Sequence, residues 1–197
     1  MQILVQYASE LVMALGIFLA TILLFRFTLN RMKQLSEEEK PLARPLWVAT
    51  IAILLLGIAS LLNYQHALSP STELETVYYL AVVSGAGLFA LSATMIMGWN
   101  KGRILPLVIM AAIIVVALLE QSGIDILLGY SGEFTAVFAG ILFGIPFLLF
   151  TFLAVKTKRI TSFGFAVLSI FYPMLLVMTS FTAPEIVAIV VAMRLYG

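Results

Sequence analysis

The chain contains no cysteine and a single histidine, and these two shortages remove several chemistries at once. Without cysteine there is no disulfide, no thiolate nucleophile, no iron–sulfur cluster and no Cys-ligated metal. With His66 alone, a haem held by two histidines and a His-rich zinc or copper centre are excluded. Charge is scarce as well. Only 11% of residues are charged, against 62% hydrophobic, and the mean hydropathy is +1.12. A water-facing surface needs more charge than this, so a soluble domain is excluded. The sequence has no HExxH pair, no Gly-Asp pair of an intramembrane protease, no P-loop and no nucleophile elbow.

What fills the chain is a series of apolar runs close to the ~20 residues that a membrane-spanning helix needs. Spans are expected near 8–27, 46–63, 76–97, 104–120, 134–155 and 160–181, with a shorter run near 184–196. The predicted fold is all-α: a polytopic transmembrane helix bundle of seven helices, six plus a short seventh, forming a single integral-membrane domain over residues 1–197. At about 1.5 Å per residue the last run rises roughly 20 Å, short of the ~30 Å hydrocarbon core. Six spans with a re-entrant end is the other arrangement. The N-terminus lacks the basic segment of a signal peptide, so residues 1–27 read as a retained first span. Pro45, Pro106 and Pro184 each sit where a first helical turn is expected, a position in which the missing N–H costs nothing.

Basic residues are missing from every second connection. Arg26, Arg31, Lys33, Lys40 and Arg44 follow the first span, Lys101 and Arg103 the third, and Lys156, Lys158 and Arg159 the fifth, while Arg194 lies just before the C-terminus. The alternate connections carry acids alone: Glu73 and Glu75, then Glu120, Asp125 and Glu133, then Glu185. This is the positive-inside pattern. It predicts a plasma (cytoplasmic) membrane protein with its N-terminus outside and its C-terminus in the cytoplasm. Aromatic residues agree. Trp47, Trp99 and Tyr196 fall at inner boundaries, and Tyr7, Tyr64, Tyr78, Tyr79 and Tyr130 at outer ones, leaving Tyr172 as the deep tyrosine.

The span centres hold no Asp, Glu, Lys, Arg or His. Ionisable groups inside membranes mark proton relays and ion pathways, so their lack argues against proton-coupled transport. Glu10 is the deepest acid, and Glu120 belongs at the outer rim. No lysine is placed to carry a retinal Schiff base. An enzyme acting on lipid would need an acid–base pair at depth, and none is present. No catalytic residue, cofactor or metal is assigned. His66, after Asn63, Tyr64 and Gln65, reads as a solvated loop histidine. The basic loops are short and lack interleaved aromatics, which excludes nucleic acid as a partner.

Two patterns point further. Gly132, Ala136, Gly140 and Gly144 recur every four residues on the fifth span. Lipid tails are as apolar as leucine, so helices associate by close packing, and such a helix-packing stripe lets backbones approach. Ala86, Ala90 and Thr94 form a weaker stripe on the third span, and Gly16 and Ala20 one on the first. The second pattern is a pair of mid-span prolines, Pro146 and Pro173, which free the carbonyls of Leu142 and Ser169. Freed carbonyls need protein or water partners, as in the midplane sites of transporters. A ligand cavity is therefore expected among Leu142, Pro146, Ser169, Tyr172 and Pro173. The reading favoured is a non-enzymatic multi-pass structural or accessory subunit, with membrane lipid, a second copy or other membrane subunits as partners. A small transporter, channel or ligand sensor using that cavity is the alternative. A pore lined by Ser, Thr and Tyr would favour the alternative, and a dry interior the subunit.

Overall fold

A computed structural model of the chain describes residues 2–37, 39–124, 131–158, 162–167 and 169. Five long helices run through them: α1 (Gln2–Gln34), α2 (Arg44–Leu68), α3 (Thr72–Ile96), α4 (Ile104–Gln121) and α5 (Ser131–Thr157). Short 3-10 turns, Lys40–Ala43 and Lys101–Arg103, lead into α2 and α4. No strand occurs among the described residues. All five helices are long and apolar enough to cross a membrane, over Ala14–Gln34, Arg44–His66, Thr72–Ile96, Lys101–Glu120 and Val137–Thr157. The expected count of seven is not confirmed among the described residues. Residues 162–167 and Ser169 are helical and mark the start of the sixth run. Its remainder, the seventh run and Pro184 lie outside the described residues.

The helix ends obey the local signals. Pro45 falls in the first two positions of α2, and Pro106 in the first turn of α4. Helix α3 opens on Ser71, whose Oγ accepts from Leu74 N at 3.1 Å, with Glu73 and Glu75 in the first turn where acids favour the helix dipole. Helices α3 and α4 both stop in the same way. Gly98 (φ +68°) follows α3, with Trp99 N donating to Thr94 O at 3.0 Å and Gly98 N to Met95 O at 3.1 Å. Gly123 (φ +85°) follows α4, with Ile124 N donating to Leu119 O at 3.0 Å and Gly123 N to Glu120 O at 2.9 Å. This pair of bonds is the Schellman motif, which needs a left-handed residue that glycine adopts without strain.

Helix α3 is the axis of the bundle. It packs against α2, α4 and α5, whereas α1 packs among the described elements only on α2 and its leading 3-10 turn. The core joins Ala52, Leu56 and Ala59 of α2, Val83, Ala86 and Ala90 of α3, Ile109 and Ile113 of α4, and Ala139, Leu142 and Phe143 of α5. Short turns make α1, α2, α3 and α4 successively antiparallel. Phe89 and Phe150 lie late in α3 and late in α5, with ring centroids 6.0 Å apart, so α5 runs parallel to α3. The ends of α1, α3 and α5 and the starts of α2 and α4 thus gather at one end of the bundle, which carries the described bases. Glu73, Glu75 and Glu120 lie towards the opposite end.

Outward faces are apolar throughout. On α1, Leu15, Leu19, Ile22, Leu23 and Phe27 are exposed, as are Ile104, Val108 and Val115 on α4 and Leu148, Phe152 and Val155 on α5. Contiguous apolar surface of this extent is untenable in water and ordinary in hydrocarbon. Several long apolar helices with apolar outward faces are compatible with a multi-pass membrane protein.

Candidate functional site

The predicted cavity region centres on α5. Pro146 lies inside that helix and is fully buried, as is Leu142 one turn earlier. Both therefore face protein, as a freed carbonyl in a membrane requires. The neighbouring space is aromatic. Phe150, one turn beyond Pro146, stacks on Phe165 with centroids 5.1 Å apart, and Phe89 of α3 lies 6.0 Å from Phe150 and 6.3 Å from Phe165. Three helical segments thus meet on three phenylalanine rings, with Phe143 wholly buried beside them. Ser169 is buried, and its hydroxyl donates to Phe165 O at 2.7 Å. Tyr172 and Pro173 lie outside the described residues. Of the five residues expected around a cavity, Leu142, Pro146 and Ser169 are thus placed in packed surroundings.

Five other buried hydroxyls behave as Ser169 does. Thr21 donates to Ile17 O, Thr28 to Leu24 O and Thr50 to Leu46 O, each at 2.8 Å, and Ser60 donates to Leu56 O at 3.1 Å. Thr94 donates to Leu91 O at 2.8 Å. Each has its one proton engaged by the preceding turn of its own helix, which lets a polar residue sit in a dry seam. Ser92 differs. Its hydroxyl crosses to Pro45 O at 2.8 Å and ties the end of α3 to the start of α2. No titratable side chain is buried among those whose burial is described. Among the described residues, this region packs helices through apolar side chains and hydroxyls bonded to backbone carbonyls.

The glycine stripe divides. Gly132 and Ala136 lie in α5, but their side-chain surroundings are outside what is described. A Cβ built on Gly140 or Gly144 would meet no described atom within 4 Å. The close approaches lie on α3 and α2. A Cβ on Gly85 would come 2.8 Å from Leu56 Cδ2 and 3.1 Å from Ala52 O; one on Gly87, 2.8 Å from Met110 Sδ; one on Gly57, 3.1 Å from Ile17 Cγ2. The weaker stripe of Ala86, Ala90 and Thr94 is wholly buried. Gly85 and Gly87 were passed over because they break the four-residue spacing. The signal that finds them is the run Gly85-Ala86-Gly87, where no side chain larger than a methyl covers most of a helical turn.

His66 corrects the expectation of a solvated loop residue. It lies in the last turn of α2, half-buried, with Nδ1 3.1 Å from Ser71 O and 3.3 Å from Ser71 N. It closes the turn between α2 and α3. No cluster of His, Asp and Glu able to hold a metal occurs among the described residues. Two tryptophans mark the basic end. Trp47 Nε1 donates to Met32 Sδ at 2.8 Å and its ring meets Phe25 edge-on at 5.4 Å, fastening α1 to α2. Trp99 sits in the turn after α3, 49% exposed.

The chain matches no protein-family model, no curated protein and no solved structure. Its function is therefore argued from its own residues.

Proposed function

We propose that this protein is a non-enzymatic integral membrane subunit whose work is to pack, in the membrane, against other subunits or a second copy of itself. The observation that carries this reading is the state of the buried hydroxyls. Thr21, Thr28, Thr50, Ser60, Thr94 and Ser169 each donate to their own helix, and Ser92 to α2. A hydrophilic path would need such donors turned towards solute. Helix α1 supports the same reading. It meets α2 through Ile17, Phe18, Phe25 and Met32, and turns Leu15, Leu19, Ile22 and Leu23 outward.

The full chain reconstituted in liposomes is expected to give no flux of ions or small neutral solutes above protein-free vesicles. Cysteines introduced singly at Leu19 or Ile22 are expected to cross-link to a neighbouring chain in native membranes. Solute flux that Leu142→Trp abolishes would overturn the subunit reading for the transporter or sensor reading, whose support is Pro146 buried within α5.

The orientation proposed is positive-inside, with seven crossings, the N-terminus outside and the basic end in the cytoplasm. The chain has no native cysteine, so single cysteines report cleanly. An impermeant thiol reagent on intact cells is expected to label Ser71→Cys and spare Ser36→Cys. The reverse labelling would invert the topology.

A further inference from the structure

We propose that the turn joining α3 to α4 holds the phosphate of an anionic phospholipid, with Arg103 and Lys101 as its cationic partners and Trp99 at headgroup level. The turn is a fixed frame. The backbone N–H groups of Met97, Gly98, Trp99, Asn100, Gly102 and Arg103 all donate to carbonyls between Ala93 and Asn100. A Cβ on Gly102 would lie 2.2 Å from the Trp99 ring, so the indole rests directly on the glycine. The half-exposed ring is thereby held at the level of the two charges. Tryptophan's apolar body and polar edge suit it to the membrane–water boundary.

Arg103 is the incomplete member of this frame. Its Nε is enclosed by protein and donates to nothing. An enclosed charged donor without an acceptor is rare, and a guanidinium offers five donors in a planar fork that matches a phosphate's oxygens. The Arg103 side chain as a whole stays partly exposed, so a modest rotation turns its unsatisfied edge towards the membrane surface.

No described residue brings a counter-ion to it. The acids of the basic end are Glu37, Glu38 and Glu39, all in the linker between α1 and α2. Glu37 pairs with Lys40. Glu39 accepts from the Ser36 backbone N–H at 3.2 Å and from Ser36 Oγ at 3.0 Å, and these bonds hold its carboxyl below the ordinary carboxylate range. Among the described residues no acid pairs with Arg103 or Lys101. The charge deficit is met from outside the chain.

A lipid rather than a soluble phosphate is indicated by what flanks the turn. Ile96, Ile104 and Leu105 are all exposed, so the cationic turn continues directly into apolar surface along which acyl chains lie. A free phosphate gains nothing from that surface.

The test is native mass spectrometry of the full chain, purified in detergent, stripped of lipid and offered equal amounts of phosphatidylglycerol and phosphatidylcholine. The wild type is expected to retain phosphatidylglycerol several-fold over phosphatidylcholine. Arg103→Lys keeps the charge but loses the fork, and is expected to lose most of that preference. Lys101→Gln, at an exposed side chain, is expected to weaken it with unchanged thermal melting. Lys33→Gln removes a base of the same end outside the turn and should leave the preference intact. Retention by Arg103→Lys at the wild-type level, or an equal loss in Lys33→Gln, would overturn the site in favour of diffuse charge. Displacement of the lipid by millimolar inorganic phosphate would overturn the lipid assignment in favour of a soluble phosphate ligand.

Discussion

Helices α3 and α5 both carry glycines in apolar surroundings, yet only one of them shows glycines in close approach to described neighbours. On α5 the regular stripe presents Gly140 and Gly144, and a Cβ on either meets no described atom within 4 Å. On α3 the irregular pair Gly85 and Gly87 is pressed by Leu56, the Ala52 carbonyl and Met110. The contrast teaches what a small-residue pattern means. Spacing shows that a backbone can be approached along one face of a helix. Whether it is approached depends on the residue opposite. Ala52 and Leu56 sit across from Gly85 because α2 and α3 are joined by a short turn and must lie antiparallel in register. Between α4 and α5 the sequence imposes no comparable register.

This comparison can be broken by substitution. Gly85→Ala should have the largest effect, because the new methyl meets a backbone carbonyl that cannot swing aside as well as Leu56. A loss of about 1–3 kcal/mol is expected, read as lower thermal stability in detergent. Wild-type melting would show that the α2–α3 seam is looser than its geometry.

Ser92→Ala removes the hydroxyl that crosses to Pro45 O. A loss of about 0.5–1.5 kcal/mol is expected, with protection of the α2 start against hydrogen exchange reduced alongside it. If Ser92→Ala destabilises while exchange at Ala49 and Thr50 is unchanged, the bond does not fasten α2.

Gly87→Ala should cost less. Its nearest obstacle is the thioether of Met110, a flexible chain that can shift. The clash is offset by the roughly 0.5–1 kcal/mol that alanine gains over glycine within a helix. The net change is expected to stay within about 0.5 kcal/mol, and pairing it with Met110→Ala should reveal the alanine's gain.

Gly140→Ala is expected to be neutral or slightly stabilising, by no more than about 1 kcal/mol, because the same helical gain meets no described obstacle. A loss as large as that of Gly85→Ala, accompanied by a change in size-exclusion mass, would place the stripe against a second chain. Such a result would turn the contrast between the two helices into a division of labour, with α3 packing within the chain and α5 between chains.

The sequence by itself determined the all-helical, apolar class of the protein and the place of its second to fifth long helices. Transfer of apolar side chains into hydrocarbon, and the need to satisfy every backbone N–H and C=O there, depend on local composition alone. Helices α2, α4 and α5 accordingly contain the expected runs, and α3 covers its run to within one residue, each beginning or ending within a few residues of it. The starts of α2 and α4 were legible too, through Pro45 and Pro106, because a first-turn proline acts within one turn of the chain, whereas the Ser71 cap and the left-handed glycines at 98 and 123 emerged with the structure. Tertiary structure alone decided the rest. It buried Leu142 and Pro146, brought Phe89 of α3 against Phe150 of α5, turned His66 into a clasp for the α2–α3 turn, and left Arg103 Nε enclosed without an acceptor. Each of these depends on which residue lies opposite across a helix interface. In a bilayer, where every outward face is equally apolar, hydropathy carries no trace of that choice, and shape and hydrogen bonding between helices make it.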